Sequence, residues 1–205
     1  MTTVLVTGYE PFSTFDRNPS ALVAEGLDGT TVSGATVVGR VLPVDLRAMP
    51  GALRDLLERH RPAVVLSLGL AAGIAGVNVE RVGVNLADLS RTPDNAGCAV
   101  SDAPLAPGGP DALFATVPTR RIVERLHEEG IPAALSYSAG AHLCNAILYQ
   151  LLCGAREPGF VYRAGFLHLP LLPEMAVLQP QAASSMSLDT MRRAIEIAVA
   201  VSLPH

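Results

Sequence analysis

Short apolar runs rich in β-branched residues alternate with longer helix-forming segments along the chain. Thr3-Val4-Leu5-Val6-Thr7, Thr36 to Leu42, Ala63 to Leu68, Ala133 to Tyr137 and Arg163 to Leu169 read as strands. Helical segments fall around and between them: Pro19 to about Gly26, Leu46 to His60, Val117 to Glu129, Ala141 to Leu152 and Ser187 to Val201. Asn18-Pro19 opens the first helix with a capping side chain and a proline at the first helical position. Leu53, Leu56 and Leu57 share one face of the second. The run Ala63 to Leu68 is apolar throughout, as a strand covered on both faces must be. This alternation predicts an α/β fold: a three-layer α/β/α sandwich around a central, largely parallel mixed sheet. Sites in such sheets form at the carboxyl ends of strands. That nominates the loops after Thr7, Leu68, Tyr137 and His168.

Two stretches fit the alternation poorly. Val77 to Leu86, VNVERVGVNL, reads as one strand whose alternation breaks around Arg81 to Val84. Ala87 to Asp111 is proline-rich and without periodicity, and uninterrupted loops of this length are often functional. The length of 205 residues predicts one domain spanning 1–205. A net charge of -4, no Lys/Arg cluster and no Trp argue against a nucleic-acid partner. The seventeen-residue uncharged run Ala63 to Val79 is broken by Gly69, Gly73 and Gly76. It reads as a strand and a glycine-rich loop rather than a membrane span. MTTVLVT lacks the basic start and apolar length of a signal peptide, so a cytoplasmic protein is expected. Three cysteines without regular spacing argue against a disulfide framework and against a zinc site. No metal and no cofactor is expected.

One of those cysteines is unusually placed. In SYSAGAHLCNAILYQ, Ser136 to Gln150, a strand end and a Ser-Ala-Gly turn lead into a helix with Cys144 near its start. A helix N-terminus stabilises a thiolate, the reactive form of cysteine. Cys98 in a polar loop and Cys153 at a helix end lack that advantage. A nucleophilic thiol needs a base and an orienting group. His60 and His127 sit on charged helix segments, and His142 lies two residues from Cys144, a spacing that points to different sides of a helix. His168 sits at the end of an apolar strand just before Pro170, where the sheet rule places sites. Glu80 is an acid inside a valine-rich strand and needs a partner there, either His168 or Arg81 from a neighbouring strand.

Four ordered motifs carry a resemblance. They are Thr7-Gly8-Tyr9-Glu10-Pro11-Phe12 followed by Asn18-Pro19-Ser20; Glu80-Arg81-Val82 with Asn85, then Arg91, Pro93-Asp94-Asn95 and Gly97; Ser136, Ser138-Ala139-Gly140 with Cys144-Asn145; and Gly165-Phe166-Leu167-His168-Leu169-Pro170 with Leu172-Pro173-Glu174. In this order they resemble the pyroglutamyl peptidase I family of cysteine peptidases. The resemblance implies a triad of Cys144 as nucleophile, His168 as base and Glu80 as orienter. It implies a substrate-binding set drawn from Tyr9, Phe12, Leu70, Arg91, Thr92, His142 and Leu143, with Tyr9 and Phe12 gripping the pyroglutamyl ring and Arg91 near the nucleophile. It also implies a small peptide or amide substrate and a homo-oligomer, tetramer or dimer. The chain departs from the family pattern in the walls rather than the triad. Ser13-Thr14 replaces a glycine pair, Leu70 a glutamine and Tyr137 an asparagine, Thr92 stands at a usually apolar position, and His142 stands at a usually aromatic or apolar one. Two other readings fit the same residues: an amide or lactam hydrolase or cyclase with a different small substrate, and a binding protein without turnover.

Overall fold

The computed structural model describes residues 2–204. Its main sheet has seven strands in the order β2-β3-β1-β4-β9-β5-β8. These are β1 (Thr3–Tyr9), β2 (Thr31–Val32), β3 (Ala35–Leu42), β4 (Val64–Leu70), β5 (Val77–Glu80), β8 (Ala133–Ser136) and β9 (Arg163–Leu169). β3, β1, β4 and β9 run parallel. β5 is antiparallel to β9 and parallel to β8, and β2 is antiparallel to β3, so the sheet is mixed. β6 (Val82–Val84) and β7 (Ala112–Phe114) form a separate antiparallel pair.

Helices cover both faces, because successive strand side chains point to opposite sides. Val4 and Val6 of β1 face a core shared with α1 (Pro19–Leu27), α3 (Thr119–Glu128), the short α5 (Pro173–Ala176) and α6 (Leu188–Ser202). Leu5 and Tyr9 face a second core shared with α2 (Met49–His60) and α4 (Leu143–Gly154). The same alternation sorts the candidate residues. Leu167 and Leu169 of β9 lie in the first core and Phe166 in the second, so His168 points toward α4. Val77 and Val79 of β5 lie in the first core, so Glu80 also points toward α4.

The expected caps form. Asn18 accepts a hydrogen bond from the Ser20 amide at 3.1 Å, and Ser187 accepts from the Thr190 amide at 3.2 Å. α1 lies close against β1 because position 8 is glycine: a Cβ there would sit 2.1 Å from the Ser20 carbonyl oxygen. The Ser20 hydroxyl then accepts from the Tyr9 amide at 3.0 Å, fixing where the first loop begins.

The single strand expected from Val77 to Leu86 is two. The chain leaves the main sheet at Arg81, whose amide donates to the Ser136 carbonyl and whose carbonyl accepts from Ala115. Val82 to Val84 keep β geometry but pair with Ala112 to Phe114 instead. β2, β7 and α5 are two to four residues long, too short for periodicity to reveal. The long stretch from Ala87 to Asp111 has no helix or named strand. It is tied down at intervals. Asn85 bonds the amide and carbonyl of Ala106, both at 2.8 Å, and Asp94 accepts from the amides of Leu46, Ala96 and Cys98. Asn95 donates to Glu10 and to the Pro11 carbonyl, both at 2.9 Å, and the Tyr149 hydroxyl donates to the Pro110 carbonyl. Among the described residues no helix is long and apolar enough to cross a membrane.

Candidate active site

The turn Ser138-Ala139-Gly140 delivers the chain to α4, which begins at Leu143, two residues later than expected. His142 is therefore the N-cap, with extended backbone, and Cys144 is the second residue of the helix. The first amide to bond within this turn is that of Ala146, to the His142 carbonyl at 3.0 Å. Among the described residues the amides of Leu143, Cys144 and Asn145 have no acceptor. The helix start that carries the thiol thus offers three free N–H groups and the positive end of the helix dipole.

Asn145 explains why the helix start is held so firmly. Its side chain is fully buried, accepts from the Val84 amide at 2.8 Å, and donates to the Val84 and Leu86 carbonyls at 2.9 and 2.8 Å. The residue beside the thiol is a clamp joining α4 to β6.

The sheet supplies the other two groups. His168 Nδ1 and Glu80 Oε1 lie 2.8 Å apart, with Glu80 1% exposed. Glu80 sits opposite Phe166 in the β5–β9 ladder, one pleat from His168 on the same face. Arg81, the other candidate partner for Glu80, instead stacks between the exposed rings of Phe114 and Tyr137, 6.0 Å from each. With Nδ1 turned to Glu80, Nε2 of His168 is left for the sulfur. Burial by itself would lower the His168 pKa, but the Cys144 sulfur and the Glu80 carboxylate outweigh it and push the value up to about 10. Phe166 packs edge-on against the imidazole with ring centroids 4.9 Å apart. Gly69, beside His168 in the ladder, makes room for the Cys144 sulfur: a Cβ there would lie 2.9 Å from Cys144 Sγ and 2.8 Å from Phe166 Cζ.

A cavity of about 20 Å³ opens beside the thiol. Tyr9, Phe12, Leu70, His142 and Leu143 line it with Cys144, so five of the expected substrate-binding residues meet there. Asn18 and Val44 complete the wall. They were not anticipated, because one looks like a plain helix cap and the other like a loop valine. The Tyr9 hydroxyl donates to the Leu143 carbonyl at 2.8 Å, and burial together with the nearby Cys144 sulfur raises its pKa well above the usual range, keeping it a neutral donor. His142 lies in the wall, as the resemblance implies. The spacing argument against it as the base assumes a helix that already includes residue 142, whereas the helix begins one residue later. Its Nε2 lies 2.8 Å from the Thr92 carbonyl oxygen. That contact and the Asp88 amide on the Ala141 carbonyl strap the segment carrying Arg91 to the start of α4. The Arg91 side chain is exposed and is not part of the cavity wall. Ser13, where the family pattern has glycine, holds a φ of 56°, the left-handed conformation that glycine adopts without strain.

A thiol at a helix N-terminus, an imidazole against it, a buried carboxylate behind the imidazole and free amides alongside, all on an α/β/α sandwich, define a cysteine-type hydrolase. The comparisons narrow the class. The family model described as pyroglutamyl peptidase matches residues 2–204. A pyrrolidone-carboxylate peptidase of Gloeobacter violaceus is 46% identical over 200 residues, covering 97% of this chain and 95% of its own. One from Pyrococcus furiosus is 39% identical over 203 residues, covering 96% and 97%. The solved structure of pyrrolidone carboxyl peptidase from Thermococcus litoralis superposes with a TM-score of 0.95 at 39% identity, covering 98% of this chain and 93% of that one. The chain belongs to the pyroglutamyl peptidase family.

Proposed function

We propose that this protein hydrolyses the amide bond after an N-terminal pyroglutamyl residue, with Cys144 as nucleophile, His168 as base and Glu80 as orienter. The observation that carries the reading is the wall of the cavity beside the thiol: mostly aromatic and apolar side chains, with Asn18 and His142 among them and no acid, lysine or arginine. Pyroglutamate is a neutral lactam, and a wall without charge suits it while giving nothing to the ammonium of an ordinary N-terminus. Phe12, His142 and Cys144 are the half-buried members of the wall, so the cavity is open to solvent on the side of the thiol.

The thiolate of Cys144 attacks the carbonyl carbon that follows the ring. The oxyanion forms against the free amides at the start of α4. His168 Nε2–H protonates the leaving amine as the C–N bond breaks, leaving a thioester. His168 then takes a proton from water as the water oxygen attacks the thioester carbonyl, and cleavage of the C–S bond releases pyroglutamate and restores the Cys144 thiolate beside protonated His168. Glu80 holds the imidazole in the orientation that aims Nε2 at the sulfur. Arg91, strapped near the helix start, supports the site from its rim. Cys98, Cys144 and Cys153 are all free thiols, in keeping with a reducing, cytoplasmic setting, and the working form is a homo-oligomer, dimer or tetramer.

The test is release of a fluorescent amine from a pyroglutamyl amide and from the matching prolyl amide, whose ring carries an ammonium. Turnover of the first and none of the second is expected. No turnover of the first, with Cys144 still alkylated rapidly, would overturn the substrate and favour a different amide.

The raised His168 pKa sets a pH dependence. The pairing contributes stability that is fully present below the unfolded histidine value of about 6.5 and is lost as pH rises through about 10. The leaving amine needs the same proton, so activity persists well into the alkaline range. Glu80→Gln removes one of the charges holding that proton. The alkaline limb of kcat/KM then moves toward neutrality by about one pH unit or more, read from full pH profiles of both proteins.

A further inference from the structure

The hydroxyl of Tyr9 is spent on the protein rather than left for a ligand. It donates to the Leu143 carbonyl at 2.8 Å, across 134 positions of sequence, at a site where Tyr9 is 3% exposed. Burial and the nearby Cys144 sulfur keep the phenol neutral, so its proton stays on that bond. The backbone behind the ring is fixed as well: the Tyr9 amide donates to the Ser20 hydroxyl at 3.0 Å, and Tyr9 pairs with Leu42 in the β1–β3 ladder. A rigid strand end therefore holds one carbonyl at the start of α4.

That carbonyl is the informative partner. The Leu143 C=O and the Cys144 N–H belong to one planar peptide unit. The Cys144 N–H has no acceptor among the described residues. A donor on the carbonyl polarises the peptide and makes the N–H on its other side a stronger donor. It also fixes the plane, and with it the direction of that N–H. Asn145 ties α4 to β6 without touching this peptide.

We propose that Tyr9 is a positioning residue for the oxyanion, its hydroxyl acting through the Leu143–Cys144 peptide to aim and strengthen the Cys144 amide. As the C–S bond forms, the π pair of the substrate carbonyl moves onto its oxygen, and this amide meets the new charge. The charge is absent from bound substrate, so the hydroxyl acts on the transition state and not on the ring. The inference deepens the pyroglutamyl peptidase reading and rests on it.

Tyr9→Phe keeps the ring and the packing and removes the one hydroxyl. Three measurements are compared with the wild type: turnover of a pyroglutamyl amide, inhibition by the matching aldehyde, and inhibition by 2-pyrrolidinone. Cys144 adds to the aldehyde to give a hemithioacetal whose oxygen sits where the oxyanion forms, whereas 2-pyrrolidinone has the ring without the carbonyl that is attacked. The expected result is a fall in kcat of about three- to tenfold with KM unchanged. The aldehyde weakens by the same factor, and 2-pyrrolidinone binds as before. Alkylation of Cys144 by iodoacetamide, which places no charge on a carbonyl oxygen, keeps its rate. Equal weakening of the aldehyde and 2-pyrrolidinone would make the hydroxyl a support of the ring site and overturn the proposal. A slower alkylation would make it a support of the thiol and overturn it too. If the wild type neither turns over the amide nor binds the aldehyde while Cys144 is alkylated rapidly, the pyroglutamyl reading fails and takes this proposal with it. An active wild type with kcat unchanged in Tyr9→Phe defeats the Tyr9 assignment alone.

Discussion

Cys144→Ala lowers kcat/KM on a pyroglutamyl amide by on the order of 10⁴-fold or more, while the protein melts within a few degrees of the wild type. The substitution removes one sulfur from a half-buried position and puts a good helix former in the first turn of α4. The free amides of that turn, Glu80 and His168 all stay in place, so any loss belongs to the missing thiol. Residual activity from oxyanion stabilisation and binding alone is small. Cys98→Ser and Cys153→Ser keep full activity, because neither thiol lines the cavity beside Cys144. Steady-state kinetics of the three variants, with thermal midpoints, checks the result.

Asn145→Ala is expected to be the most damaging single change outside the triad. It leaves the Val84 amide and the Leu86 carbonyl without their side-chain partner, while the Val84 carbonyl keeps the Leu86 amide at 2.8 Å. Each such group without a partner costs about 1–3 kcal/mol, so two of them make a loss of about 2–4 kcal/mol once partial relaxation is allowed. For a chain of this size that lowers the melting temperature by roughly 10 °C. Asn145→Asp is no remedy. It keeps the acceptor for the Val84 amide but turns a carboxylate toward two carbonyl oxygens. The clamp also fixes the amides at the start of α4, so kcat falls even at temperatures where both variants remain folded. Calorimetry and kinetics on the same samples separate the two effects.

The sheet and its covering helices were legible because each central strand is apolar on both faces and each helix is marked by a stripe or a cap. Cys144, His168 and Glu80 were legible as misfits: a thiol at a helix start, an imidazole at a strand end and an acid among valines. Their meeting was implied only by the motif resemblance. It depends on β5 running antiparallel between β9 and β8, and no local signal in Val77 to Glu80 states which strand is its neighbour. The break at Arg81 was hidden for a related reason. Val82-Gly83-Val84 keeps strand propensity whichever sheet it joins. His142 was placed in the wall by the resemblance; the spacing argument that set it aside as the base assumed a helical position, whereas it is the N-cap of α4. Asn145 could be seen only as a polar neighbour of the thiol. Its three partners lie about sixty positions away in sequence.

The central claim is that Cys144 carries the acyl group of a pyroglutamyl substrate. The direct measurement is mass spectrometry of the protein acid-quenched during turnover of a pyroglutamyl ester, followed by mapping of the modified peptide. The account predicts a transient pyroglutamyl adduct on the peptide containing Cys144, absent from Cys144→Ala and longer-lived in His168→Ala. An adduct on another residue, or turnover with no adduct under any quench time, would contradict it.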